Sequence, residues 1–131
     1  MKDCLFCKII NKEIPSSVVY EDEKISIIMN INPNTNGHLL VLPKEHYTNL
    51  MDTPNEIITH SLDVVRENIY PKLKEKINCE GLTLAQNNEL GQEIKHYHLH
   101  LIPRYQNDNA DFTYDKENIK EVSEIYNKIM D

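Results

Sequence analysis

His96-Tyr97-His98-Leu99-His100-Leu101-Ile102 decides how the chain is read. Three histidines alternate strictly with Tyr97, Leu99 and Leu101. In an extended strand, successive side chains point to opposite faces at roughly 3.3 Å per residue. His96, His98 and His100 then line one face, about 6.6 Å apart per step, while Tyr97, Leu99 and Leu101 turn to a core. On a helix the same histidines would rotate by about 200° per step, and no single site could use all three. The competing reading is a half-exposed strand with a polar outer row. Three of the chain's six histidines at this spacing favour a site.

Around this stretch, strand patterns recur. Ile94 to Ile102 reads as a fifth strand closed by Pro103. Leu82 to Gln86 reads as the fourth, with a polar loop from Asn87 to Gln92 between them. Nearer the N-terminus, Val18 to Glu21, Ile25 to Ile31 and His38 to Pro43 are three β-branched or apolar strands. A turn at Glu21–Lys24 joins the first two, and Asn32–Gly37 supplies turn chemistry at almost every position. From Pro54 the period changes. Thr53 is placed as an N-cap, Pro54 suits the first helical position and Glu56 favours the helix dipole. Ile57, Ile58, Leu62, Val65 and Ile69 form a helical stripe. Pro71 predicts a kink or break near Tyr70, before Leu73 and Ile77. Cys4 to Ile10 reads as a knuckle running into a helical turn that buries Phe6, Ile9 and Ile10. After a polar linker from Gln106 to Asp115, Ile119, Val122, Ile125 and Ile129 mark an amphipathic C-terminal helix. Short links between the early strands favour antiparallel pairing, so the class is α+β: a five-stranded antiparallel sheet with one long helix.

The 131 residues suit one domain, with a core over 4–105 and a helical extension over 113–131. Apolar content of 40% and charged content of 27% are ordinary for a soluble chain. No apolar run is long enough to span a bilayer. Met1-Lys2-Asp3-Cys4 lacks the apolar region of a signal peptide, so a cytoplasmic location is expected. The net charge of −7 argues against a nucleic acid polymer, which needs a basic face, but not against a small anion in a local pocket.

Three cysteines, Cys4, Cys7 and Cys79, cannot all pair. Cys4 and Cys7 have the spacing of a zinc knuckle or of a redox pair. A tetrahedral zinc site needs two further ligands, and with no second Cys-x-x-Cys present these must be histidines. His98, central in its row, is the candidate nucleophile: a neutral imidazole nitrogen can attack phosphorus and divide one displacement into two. Its neighbours can hold phosphate oxygens or pass protons. A three-histidine metal centre is the rival, although this spacing on one strand does not by itself converge three rings on an ion. His60 is expected at the surface, Cys79 as a partly buried thiol without a role, and Lys44 as solvated.

The His96–Ile102 motif resembles the signature of the histidine triad (HIT) family of nucleotide hydrolases and transferases. Further blocks resemble it in the same order: Cys4-Leu5-Phe6-Cys7-Lys8-Ile9-Ile10, Glu13-Ile14-Pro15, Val19-Tyr20-Glu21-Asp22, Gly37 to His46, and Leu84 to Gln92. The similarity is greatest to bacterial Hint-type purine nucleoside phosphoramidases. It implies a HIT-like fold whose dimer forms a ten-stranded sheet, and a purine nucleoside monophosphate or its conjugate as ligand. It implies that His98 is the nucleophile, with His100 and His38 around the phosphate. It implies one structural zinc on Cys4, Cys7, His46 and His96. Phe6, Ile9, Ile28 and Ile31 match base-pocket positions, and Asn87, Gly91 and Gln92 match the phosphate-side loop. Asn30 stands where the family commonly has an aspartate on the ribose, and Glu93 where many members have a serine facing the leaving group. The implied activity is cleavage of nucleoside 5′-monophosphate amides, esters or anhydrides through a covalent nucleotidyl-histidine. The alternative is a nucleotide-binding regulatory protein with incidental turnover.

Overall fold

The computed structural model describes residues 3–111 and 113–131. Its sheet contains β1 (Val18–Glu21), β2 (Ile25–Met29), β3 (Leu39–Pro43), β4 (Gly81–Ala85) and β5 (Leu99–Arg104), all antiparallel, in the order β1-β2-β3-β5-β4. The helices are α1 (Leu5–Ile10), α2 (Asn55–Val64), α3 (Tyr70–Ile77) and α4 (Val122–Met130), with a π-helical turn at Val65–Ile69 between α2 and α3.

Strand alternation sorts the sheet residues onto two covered faces. Ile25, Ile27, Leu39, Val41, Leu99 and Leu101 pack with Ile57, Val64, Val65 and Ile69 of the long helix. Ile28, Leu40 and Leu42 pack with Cys4, Phe6 and Cys7. With both faces covered, β3 reads as an unbroken apolar run rather than an alternating one. On the α1 face, Leu40 is paired with His100 and Ala85 lies opposite His100 on the other side.

The sequence expectation needs correction at several boundaries. β2 ends at Met29, not Ile31: the Asn30 side chain accepts the Asn32 N–H at 2.8 Å and turns the chain out, leaving Ile31 90% exposed. β5 begins at Leu99 rather than Ile94, so His96 and His98 precede the ladder. A main-chain bond from Tyr97 N–H to the Tyr47 carbonyl at 2.6 Å helps anchor that segment. Pro103 does not close β5. The pairing with β3 stops at Leu39–Leu101, so beyond it β5 has a partner only in β4 and a missing N–H is tolerated.

Pro71 does not break the helix. Tyr70 keeps helical dihedrals of −63° and −44°, and its N–H bonds to the Val65 carbonyl, five residues back. A proline ring collides with the carbonyl four residues earlier. The wider π turn relieves this while the buried Val65 and Ile69 hold it in place. At the start of α2, Pro54 occupies the N-cap position, and Thr53 Oγ1 donates to the Asn49 carbonyl at 2.7 Å instead of capping. α4 begins at Val122 and buries no residue; Val122 is 82% and Ile129 74% exposed. Among the described residues, no helix is long and apolar enough to cross a membrane.

Candidate functional site

Two groups of histidines meet on the α1 face. The first surrounds the start of α1. The Cys4 side chain caps this helix, its sulfur accepting the Cys7 N–H at 3.2 Å. Cys4 Sγ lies 3.3 Å from His96 Nδ1, Cys7 Sγ lies 3.3 Å from His46 Nδ1, and Cys7 Sγ lies 3.5 Å from His96 Nδ1. All four donor atoms fall within 4.8 Å of one another, and both cysteines are free thiols. Tetrahedral zinc with ordinary Zn–S and Zn–N bonds places sulfur and nitrogen about 3.6 Å apart, so the spacing suits such an ion. His96 is fully buried, and its Nε2–H donates to the Pro43 carbonyl at 3.0 Å. That bond fixes the tautomer and leaves the Nδ1 lone pair facing the thiols. Burial lowers the His96 pKa to about 4, and burial beside Cys4 raises the Cys7 thiol to about 11.

The second group lines a cleft of about 710 Å³. Phe6, Ile9, Ile28 and Leu40 supply apolar wall; Asn30, His38, His98, His100, Asn87, Gly91 and Glu93 supply polar wall. The Phe6 ring meets His98 edge-on, with centroids 5.0 Å apart. His98 Nδ1 lies 2.8 Å from the His96 carbonyl, which can only accept, so the proton sits on Nδ1 and the lone pair on Nε2. The Asn34 N–H donates to His38 Nδ1 at 3.0 Å, which places the His38 proton on Nε2. That N–H donates to His100 Nδ1 at 2.9 Å, leaving His100 with an Nε2–H of its own. Burial lowers the pKa of His38 and of His98; burial, with His98 and His38 adjacent, lowers His100 to about 4. All three rings are therefore neutral near pH 7, arranged as one lone pair beside one N–H.

Asn30 is at odds with this arrangement. Its Oδ1 accepts from Asn32, so its amide nitrogen lies 3.3 Å from His38 Nε2, where donor faces donor. A carboxylate would set an oxygen there in place of the opposing N–H. Ile31 lines the rim of the cleft. Gln92 is not among the lining residues: its side chain is buried, donating to the Thr48 carbonyl at 2.6 Å and accepting from the Glu89 N–H. Lys44 is paired with Glu21 at 3.7 Å. Cys79 is buried. His60 is only partly exposed, 2.6 Å from Asp22. The sequence reading missed Leu40 and Asp111 in the cleft and the Asn34 N–H behind His38. Leu40 was recoverable, because it shares a strand face with His38 and Leu42. Asp111 carried no signal, lying in the linker.

Comparison with known proteins agrees with this geometry. The HIT domain family matches residues 11–107, and the chain belongs to that family. An uncharacterized HIT-like protein of Methanocaldococcus jannaschii is 41% identical over 107 residues, covering 80% of this chain and 81% of that one. The adenosine 5′-monophosphoramidase HNT1 of Saccharomyces cerevisiae is 35% identical, over 77% of this chain and 62% of its own length. The adenylylsulfatase HINT3 of Arabidopsis thaliana is 37% identical, over 81% of this chain and 54% of its own length. A zinc-bound histidine triad family protein from Mycobacterium smegmatis superposes with a TM-score of 0.79 at 34% identity, covering 88% of this chain and 85% of that one.

Proposed function

We propose that the protein hydrolyses nucleoside 5′-monophosphate amides, esters or anhydrides in the cytoplasm, with His98 as the nucleophile. The observation that carries this reading is the 2.8 Å bond from His98 Nδ1–H to the His96 carbonyl, in a ring that lines the cleft beside His100. It leaves the Nε2 lone pair for phosphorus.

The purine packs against Phe6, Ile9 and Ile28, and the ribose lies towards Asn30 and Ile31. His100 Nε2–H, held in position by His38, donates to a phosphate oxygen. Asn87 and Gly91 border the phosphate, with Gln92 bracing their loop from behind. His98 Nε2 forms a bond to phosphorus while the bond to the leaving nitrogen or oxygen breaks. The leaving atom keeps that electron pair and takes a proton from solvent. The imidazolium so formed is stabilised through Nδ1–H by the His96 carbonyl. Water then attacks phosphorus and loses a proton to solvent, and the electron pair of the broken N–P bond returns to Nε2.

Cys4, Cys7, His46 and His96 are the residues that would hold a single zinc, and the donor set fits it. Bound there, the metal supplies a structural tie between α1 and the start of the His96–His100 segment. Among the described residues β1 and β4 are the two edge strands of the sheet, and a second copy pairing along the β4 edge would give a homodimer with a continuous ten-stranded sheet.

The test is hydrolysis of adenosine 5′-phosphoramidate by wild type and by His98→Ala. The variant is expected to lose at least about 10²-fold in kcat. Equal activity in the two proteins refutes the mechanism. The donor-facing-donor contact at Asn30 favours one second reading, a nucleotide-binding regulator. AMP binding without turnover in either protein would establish it.

A further inference from the structure

We propose that this cleft selects nucleotide conjugates whose leaving group is a cationic amine, and that Glu93 is the residue that makes the selection. The proposal rests on the hydrolase reading above and names its substrate class.

The charge of the cleft wall carries it. Among the described residues, no lysine or arginine lines the cleft, and the lining side chains with a formal charge are Glu93 and Asp111. Phosphate sites are commonly built with such cations. Here the phosphate has neutral N–H donors instead. The lysine closest in sequence to Glu93 is Lys95, whose Nζ donates to the carbonyls of Glu89 and Gln92 at 3.1 and 2.8 Å. It is thereby held within the loop. Among the described residues, Glu93 itself takes part in no hydrogen bond or ion pair, and it is exposed.

Position matters as much as sign. Phe6, Ile28 and Leu40 form the apolar cluster beside the His98 ring, which suits a base. Glu93 comes instead from the polar loop that also presents Asn87 and Gly91. Glu93 and His98 line the same cleft and the Glu93 charge acts on the His98 ring, so a group displaced from phosphorus by His98 departs within reach of that charge. An ammonium on that group is attracted to Glu93. A sulfate, pyrophosphate or carboxylate there sets a further negative charge against the carboxylate. In a partly solvated cleft, one such charge at contact range changes the rate by about tenfold.

The experiment compares three adenosine 5′-phosphoramidates, made from ethylenediamine, ethylamine and β-alanine, whose leaving amines are cationic, neutral and anionic at their far ends. For wild type, kcat/KM is expected to favour the cationic conjugate over the anionic one by about tenfold or more. Glu93→Gln should shrink that ratio several-fold and Glu93→Lys should invert it. Raising salt from about 0.02 M to about 0.5 M should compress the wild-type ratio. A wild-type ratio near one, or a ratio that Glu93→Gln leaves intact, overturns the proposal while the hydrolase reading stands. If wild type cleaves none of the three, the hydrolase reading and this proposal fall together.

Discussion

His38 holds His100 in one tautomer: its Nε2–H donates to His100 Nδ1 across 2.9 Å because its own Nδ1 already accepts the Asn34 N–H. One main-chain bond and one side-chain bond in series thus aim a proton donor, His100 Nε2–H, without any charge. His38→Ala removes the aim and lets water reach His100. We expect kcat to fall by about 10- to 100-fold with a smaller change in KM. Burial with His98 and His38 adjacent lowers the His100 pKa to about 4, so its Nδ1 stays unprotonated and keeps accepting from His38 in mild acid. An effect confined to KM, with kcat unchanged, would contradict the positioning role.

Asn30→Asp should repair a mismatch. The carboxylate can still accept from Asn32 N–H, and its second oxygen replaces the amide nitrogen that now opposes His38 Nε2. It also adds a charged acceptor at the place proposed for the ribose. Discrimination between AMP and 2′-deoxy-AMP should rise by roughly tenfold, from the charge-assisted bonds a ribose hydroxyl can then donate. Titration calorimetry with both nucleotides measures it; an unchanged ratio places the ribose elsewhere.

Metal analysis of the purified protein should find one zinc per chain. Cys4→Ala should lose it, whereas His98→Ala should keep it, since His98 bonds to the His96 main chain rather than contributing a donor atom. Zinc needs deprotonated thiols, so a Cys7 thiol raised to about 11 in the metal-free site implies proton release on binding. Removal by a chelator should lower Tm and also weaken AMP binding, because α1 carries both Cys7 and the Phe6 that packs on His98. Retention of zinc in Cys4→Ala would exclude this ligand set.

Asp22 ties the β1–β2 turn to α2 and should make stability depend on acid. Burial alone would raise its pKa. Hydrogen bonds from His60, from the N–H groups of Ile25 and Lys24, and from Tyr20 win, and hold it well below the usual carboxylate range. The unfolded chain therefore binds this proton first as pH falls. The stabilisation is complete above the unfolded value of about 3.9 and is lost progressively below it. Asp22→Asn should cost about 1–2 kcal/mol at pH 7 and flatten the acid side of the stability curve. Urea melts at pH 7 and near pH 3 would show it; parallel curves for the two proteins would refute it.

Much of this architecture was legible as local pattern. The β-branched content of Ile25–Met29, the helical stripe from Ile57 to Ile69 and the Cys4–Cys7 spacing are each signals that a short segment carries by itself. Pro71 was legible only as an obstacle. Whether it breaks the helix or is absorbed by a π turn depends on Val65 and Ile69 being buried against the sheet, which no local pattern reports.

The amino-acid sequence by itself determined which chemical groups were available: a row of imidazoles, a thiol pair and a carboxylate beside them. Tertiary structure decided how the row was divided. Strand alternation assigns faces only within a ladder, and the ladder begins at Leu99. Ahead of it, the Tyr97–Tyr47 and His96–Pro43 bonds turn His96 towards cysteines 92 and 89 residues away. His100, inside the ladder, is brought by the β3 register to His38, 62 residues away. Three histidines identical in spacing thus acquire different partners, because long-range hydrogen bonds, not period, set where each ring points.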